Sequence, residues 1–239
     1  KGNLITDIVE ILTETNEVLD DMVFDQANGD NQHKIAVRNG LPAAAWGILY
    51  KGVKPSKSSI TQVSESMGML EARSFVDERL LKLNGNSAAW LAAEQRPFVE
   101  AMNQQMAETL WYNDGIIHPE RFMGFAPRYN SLSAPNGKNI IDAGGTGANN
   151  ASIWLIVWGR DTCFGIYPKG SKAGIDSEDL GINTVEDGEG GRYEVHEKKH
   201  MWNLGLCVKD WRYVVRIANI DVTQLRKDLS SGANLPELM

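Results

Sequence analysis

The residues with the clearest potential for chemistry are His196, Glu197 and His200, which spell the zinc-protease motif His-Glu-x-x-His. On a helix, both histidines would share one face and could bind a single zinc ion. On a strand, four residues at about 3.3 Å each place the histidines about 13 Å apart, whereas a Zn–N bond is only about 2.0–2.1 Å long. The element that carries the motif therefore decides its chemistry.

The sequence around this motif favours a strand. Residues 188–191 read Gly-Glu-Gly-Gly, and residues 193–196 then alternate with period two. Lys198 and Lys199 leave a helix without an apolar face, and no third ligand follows at the spacing of a metalloprotease. We therefore predict a strand with two solvent-side histidines. A zinc-dependent hydrolase built on the three motif residues is the alternative.

Three other stretches resemble binding loops only in part. Residues 165–172 end in Gly-Ser-Lys, whereas a P-loop ends in Gly-Lys-Ser or Gly-Lys-Thr and opens a helix. The glycines of residues 144–147 precede a strand, although a dinucleotide-binding loop follows one. The acidic residues 176–189 lack the spacing of an EF-hand and predict a solvated loop. The sequence thus predicts no catalytic, cofactor-binding or metal-binding residue, and no cofactor.

Composition narrows the class of protein further. The 239 residues carry a net charge of −7, which argues against a general binder of nucleic acid or anionic membranes. The longest apolar run, residues 153–158, is too short to cross a bilayer. Cys163 and Cys207 stand among apolar neighbours, which favours two buried thiols over a disulfide. The seven tryptophans favour core or subunit contacts, with a monomeric sugar-binding β-module as an alternative.

The order of predicted elements indicates an α+β protein. Apolar spacing in residues 3–24 predicts an N-terminal arm with a surface helix, and residues 34–83 predict a long exposed β-hairpin. Asn86 and Ser87 can cap a helix that runs to about Asn113. Predicted strands follow at residues 152–158, 163–167, 192–196, 204–208 and 211–217. A further helix is predicted to start at Asp221, with Gln224 three residues on.

Six long stretches resemble the major capsid proteins of short-tailed bacteriophages of the epsilon-fifteen type. They cover most of the chain in the same order, from about Leu4 to Leu225, and are far more specific than the short motifs above. The stretches are "AVRNGLPAAAWGILYKGVKPSKSS", "GMLEARSFVDERLLKLNGN", "EAMNQQMAETLWYND", "PERFMGFAPRYN", "SIWLIVWGRDTCFGIYPKGSKAG" and "WRYVVRIANID".

The resemblance implies the Hong Kong ninety-seven type phage capsid fold, with an N-terminal arm, an extended β-hairpin loop, a long spine helix and an antiparallel sheet. The implied divisions are the arm (1–32), the extended loop (33–83), the peripheral domain (84–220) with its spine helix (87–113), and a truncated start of the axial domain (221–239).

The resemblance also implies a structural function and no enzyme activity. Hexamers and pentamers of the chain would build an icosahedral shell around double-stranded DNA, without sequence-specific DNA binding and without a membrane. Decoration, scaffold and portal proteins are further implied partners, and the implied location is the virion shell, assembled in the bacterial cytoplasm. Some members of this fold crosslink subunits through a loop lysine; for Lys51, Lys54 and Lys57 we predict no covalent link. A cellular nanocompartment shell shares the fold, so the fold alone does not exclude it, but the quoted stretches favour a phage.

Overall fold

The computed structural model describes residues 17–40, 42–83, 85 and 88–225. The strands within these residues are β1 (Phe24–Gln26), β2 (Gln32–Gly40), β3 (Ser59–Asp77), β4 (Ile140–Asp142), β5 (Asn150–Ile156), β6 (Cys163–Tyr167), β7 (Ile175–Glu186), β8 (Arg192–Val208) and β9 (Val214–Asp221). The α-helices described are α1 (Glu17–Asp21), α2 (Glu78–Leu83), α3 (Ala88–Tyr112), α4 (Phe125–Arg128) and α5 (Val222–Leu225). Helices and largely antiparallel strands occur together, so the predicted α+β class is confirmed.

Strand β8 is the centre of the larger sheet. Its antiparallel neighbour on one side is β3, from Met67 opposite Gly205 to Asp77 opposite Val195. Its other side pairs first with β7 and then with β6. The strand order is β1-β6-β8-β3-β2, with β7 beside β8. The strands predicted at residues 192–196 and 204–208 are therefore one continuous strand.

The prediction of a solvated loop at residues 176–189 is wrong for most of that stretch. Strand β7 covers Ile175–Glu186 and pairs with β8 from Ile175 opposite Trp202 to Glu186 opposite Arg192. The sequence pattern did not indicate a strand, because β7 is an edge strand whose outward positions hold exposed carboxylates and need no apolar residue. The turn at residues 187–191 is the part of the stretch that forms a loop.

Strands β2 and β3 form the predicted extended hairpin. Residues 32–40 of β2 pair only with residues 59–66 of β3, whereas the rest of β3 belongs to the sheet beside β8. At about 3.3 Å per residue, β3 extends for about 63 Å. The hairpin is thus a continuation of the sheet, and its tip, residues 42–58, projects beyond the other strands.

Helix α3 lies across one face of the sheet, hereafter the helix side. Its 25 residues span about 37 Å and continue through Pro97. Met102, Met106 and Leu110 are buried against Trp202 and other apolar residues of β8. The helix predicted at residues 87–113 is confirmed within one residue at each end, and its predicted caps, residues 86 and 87, lie outside the described residues.

A second, three-stranded sheet with the order β4-β9-β5 packs at the end of α3. Aromatic rings fill the contact between them, and they belong to Trp111, Phe125, Tyr129, Trp154 and Trp158. These tryptophans therefore serve packing, which leaves no sugar-binding surface among them. The β9 strand starts later than predicted, because Trp211–Tyr213 form a 3-10 turn.

Other sequence expectations have clear outcomes. Cys163 and Cys207 are free, buried thiols as predicted, and burial raises the pKa of Cys207 to about 12. The predicted start of a helix at Asp221 is confirmed: its Oδ1 accepts from the backbone N–H of Thr223 at 2.8 Å. No helix among the described residues is long and apolar enough to cross a membrane. Residues 1–16 of the predicted arm (1–32) and residues 226–239 of the predicted axial segment (221–239) lie outside the described residues.

Candidate assembly surfaces

The His-Glu-x-x-His motif lies in the middle of β8, so the prediction of a strand is confirmed. His196 faces Ile182 of β7, and His200 faces Ser177 of the same strand. Four residues along a strand separate the two rings by about 13 Å, which no single zinc ion can bridge. The described residues contain no group of three or more histidines, cysteines or carboxylates able to hold a metal ion.

Glu197 lies on the opposite side of the sheet from both histidines. Its Oε1 accepts from Arg73 Nη1 at 2.9 Å, and its Oε2 accepts from Asn183 Nδ2 at 2.6 Å. Both oxygens of this buried carboxylate are thereby occupied in a network across three strands, in which the Arg73 side chain is half exposed. Because consecutive strand residues point to opposite faces, Glu197 cannot serve the same centre as the histidines.

The prediction that both histidines face solvent is wrong for His200. Its ring is fully buried on the helix side, with Nδ1 at 2.7 Å from Ser177 Oγ. Burial, followed by the nearby charge of Lys198, lowers the pKa of His200 to about 4. His196 is partly exposed, and its Nε2 stands 3.5 Å from Asp179 Oδ1. The motif thus contains one buried histidine, His200, and one partly exposed histidine, His196.

The two glycine-rich stretches are turns and strand positions. Gly165 lies inside β6, and Gly170 has φ of 86° in the turn that follows. The backbone N–H of Ser171 donates to Pro168 O at 3.2 Å, which closes that turn without starting a helix. Residues 144–147 connect β4 to β5. Neither stretch presents a helix N-terminus to a phosphate.

The tip of the β2–β3 hairpin exposes a cluster of large apolar residues. Trp46 is 98% exposed, Leu49 is 88% exposed and Tyr50 reaches 105%. Ile48 and Val53 are also more than half exposed. Several large apolar side chains exposed within one short segment are typical of a protein–protein contact. The tip is therefore the strongest candidate for an assembly surface.

The root of the hairpin is fixed to the body of the protein by an ion pair. Arg128 of α4 donates from Nη1 and Nη2 to the two carboxylate oxygens of Glu65 on β3, at 2.7 and 2.6 Å. Both side chains are largely buried, with 16% and 8% exposure. The same guanidinium reaches Met123 O at 3.3 Å. A rigid root allows an exposed tip to present its side chains in a fixed place.

The sequence predicted the hairpin, but it did not predict the apolar residues of the tip or the ion pair at the root. The run of residues 46–50, Trp-Gly-Ile-Leu-Tyr, is apolar between polar flanks, and this signal could have marked the tip. Glu65 and Arg128 are 63 positions apart, and no local pattern connects them.

The described geometry has the elements of a shell subunit, and sequence comparison decides the family. The family model Major capsid protein GP7 matches residues 1–239. The chain belongs to this family. The predicted identity as a major capsid protein is thus confirmed, and the predicted fold is confirmed by solved capsid structures. A search of curated protein sequences finds no match.

Solved structures similar to this capsid protein include phage capsids and an encapsulin complex. The capsid structure of bacteriophage Epsilon15 is 33% identical, with a TM-score of 0.68, and the alignment covers 89% of this chain and 64% of that chain. The present chain therefore spans somewhat less than two thirds of that relative.

Two more distant structures share the fold. The holo-SrpI encapsulin complex from Synechococcus elongatus is 12% identical with a TM-score of 0.58, and the alignment covers 89% of this chain and 90% of that chain. Microbacterium phage Oxtober96 is 13% identical with a TM-score of 0.54, over 83% and 89% of the two chains. At these identities the likeness shows the fold alone.

Proposed function

We propose that copies of this capsid protein assemble as hexamers and pentamers into an icosahedral shell around the double-stranded DNA of a tailed bacteriophage. The observation that carries the proposal is the hairpin whose apolar tip projects beyond its own sheet. Trp46, Leu49 and Tyr50 are almost fully exposed in the single chain. Exposed apolar surface is unfavourable in water, and a neighbouring copy would remove it from solvent.

The net charge of −7 supports a shell that encloses DNA without binding it strongly. We infer a location in the virion shell, after assembly in the bacterial cytoplasm, with decoration, scaffold and portal proteins as further partners. The division into arm (1–32), extended loop (33–83), peripheral domain (84–220) and start of an axial domain (221–239) remains part of this proposal. It assigns the chain no catalytic role.

Electron microscopy of the full-length protein after expression tests the proposal, with particle diameter as the readout. Uniform closed shells or free capsomers are the expected result. A monodisperse monomer at every concentration, without aggregation, would overturn the proposal. The absence of a covalent link through Lys51, Lys54 or Lys57 is a separate prediction: boiled shells should run as single chains on a denaturing gel.

A nanocompartment shell is a second candidate because of the shared fold with the Synechococcus encapsulin. The contents of the particle distinguish the two functions. Shells purified from infected cells that hold double-stranded DNA support the phage capsid, and shells that hold only protein support the compartment.

A further inference from the structure

The extended hairpin and the β7 edge carry opposite charges. Between residues 31 and 64 the sequence has no acidic residue, and between residues 173 and 191 it has no basic one. The basic residues of the first segment are Lys34, Arg38, Lys51, Lys54 and Lys57. The acidic residues of the second are Asp176, Glu178, Asp179, Glu186, Asp187 and Glu189. Such segregation is unusual in a chain whose charges are otherwise interspersed.

The lysines at the tip have no partner carboxylate within the described part of the chain. Lys51, Lys54 and Lys57 are all exposed, and none takes part in an ion pair there. Elsewhere on the surface many charges are paired, as Arg79 is with Asp77 at 2.8 Å.

Carboxylates on the β7 edge are similarly available. Asp176 and Glu178 are exposed on β7, and Glu189 is exposed in the turn that follows. Among the described residues none of these three carboxylates pairs with a cation. Strand β7 pairs with β8 alone in the described sheet, so its outer edge is open to a neighbour.

The tip is too far from its own β7 to use this edge. Strand β7 begins opposite Trp202 of β8, which in turn lies opposite Leu70 of β3. Ser59, where β3 leaves the tip, is eleven residues from Leu70, or about 36 Å along the strand. The opposite charges can therefore meet only between two copies of the chain.

We propose that the tip lysines of one copy dock against the carboxylate edge of β7 in a neighbouring copy. Lys51, Lys54 and Lys57 would form ion pairs with Asp176 and Glu178, and the apolar tip residues would lose solvent contact beside them. Charge pairs at such a contact chiefly set register and exclude wrong partners, while apolar burial supplies much of the affinity. The inference rests on the proposed shell function and deepens it by naming the receiving surface.

A charge exchange between the two surfaces tests the pairing in the full-length protein. One variant carries Lys51→Glu, Lys54→Glu and Lys57→Glu; the second carries Asp176→Lys and Glu178→Lys. Facing like charges repel one another across the contact, so each variant alone should lower the yield of closed shells by about tenfold or more. The five changes together should restore the yield to within about twofold of the original protein, because the ion pairs are rebuilt with their partners exchanged. Sedimentation and electron microscopy measure the yield.

A matched control separates the pairing from the effect of net charge. Arg96→Glu, Lys138→Glu and Lys169→Glu change the charge as much as the tip variant does, at three exposed sites outside both surfaces. This control should assemble normally. Circular dichroism of unassembled protein checks that every variant is folded, which we expect because the substituted side chains are exposed.

Each remaining outcome overturns a different statement. If the unmodified protein forms no shells, the proposed function fails and this inference fails with it. If the unmodified protein forms shells and the tip variant assembles as well as the control, the shell function stands and the docking inference is wrong; the carboxylates of β7 then only protect an exposed strand edge from unwanted pairing. If each variant fails and the variant with all five changes fails too, the two surfaces do not contact one another.

Discussion

Arg128 binds Glu65 at two points in the interior, with Nη1 at 2.7 Å from Oε1 and Nη2 at 2.6 Å from Oε2. Burial of the guanidinium disfavours its charge, but the hydrogen bond and charge of Glu65 outweigh burial and raise the pKa of Arg128. Glu65 lies on β3 where the hairpin leaves the main sheet. The pair therefore joins the hairpin to α4 and fixes its direction.

Removal of one partner should be costly because the other charge stays buried. For Glu65→Ala we expect a loss of about 3–5 kcal/mol in the free energy of unfolding, measured by urea denaturation. Glu186→Ala is the matched control, since its partner Arg192 is mostly exposed and such surface pairs contribute little. Equal losses in the two variants would show that the buried pair has no special role.

The fold was predictable from sequence where local patterns are strong. The long helix and the hairpin were found because apolar spacing, turn residues and long stretches resembling a known family pointed to the same elements. Strand β7 was missed because its outward positions hold carboxylates, so that Asp176 and Glu178 looked like loop residues. An edge strand needs apolar residues only where it meets the core.

Site residues were harder to predict because burial depends on distant elements. His200 follows two lysines and looked solvent-facing, yet helix α3 covers that side of β8 and His200 is fully buried. Lys198 beside it finds Gln95 Oε1 at 3.0 Å, a contact between positions 103 residues apart. No local window of the sequence contains both partners.

His200 should make the protein sensitive to acid. Its pKa lies near 4 in the folded protein, below the ordinary value of 6.5, because burial disfavours the imidazolium. As the pH falls, the unfolded chain therefore binds a proton at this histidine before the folded protein does. The contribution of His200 to the free energy of unfolding is fully present above pH 6.5 and is lost as the pH drops towards 4. We expect a loss of about 1–2 kcal/mol between pH 7 and pH 5 from this residue, measured by urea denaturation at each pH.

Of His200 and the exposed His118, only His200 should contribute to the acid sensitivity. His200→Gln removes the titrating group, and its free energy of unfolding should vary less between pH 7 and pH 5. The control His118→Gln alters an imidazole that is 52% exposed, and its pH dependence should match that of the unmodified protein. An unchanged pH dependence in His200→Gln would assign the acid sensitivity to other groups.

Gly205 is needed where β3 and β8 approach each other at the root of the hairpin. A Cβ at this position would lie 2.6 Å from Ser66 O and 2.9 Å from Ile166 Cγ1. Gly205→Ala should therefore lower the free energy of unfolding by about 1–3 kcal/mol in urea denaturation, because a backbone carbonyl cannot move aside. Gly47→Ala is the control, since nothing lies within 4 Å of its Cβ. A Gly205→Ala variant as stable as Gly47→Ala would mean that the strands can separate without cost.

The apolar tip should matter for assembly and not for folding. Trp46→Ser, Leu49→Ser and Tyr50→Ser change side chains that are at least 88% exposed, so the unfolding midpoint of unassembled protein should stay the same. Each large apolar side chain that is buried between copies contributes about 1.5–3 kcal/mol, so the triple variant should need a concentration at least about tenfold higher to assemble. Light scattering across a dilution series measures that threshold.

Val157→Ser, at a site that is 54% exposed on another surface, should leave the threshold unchanged. A triple variant that assembles at the original concentration would remove the tip from the contacts that hold the shell together.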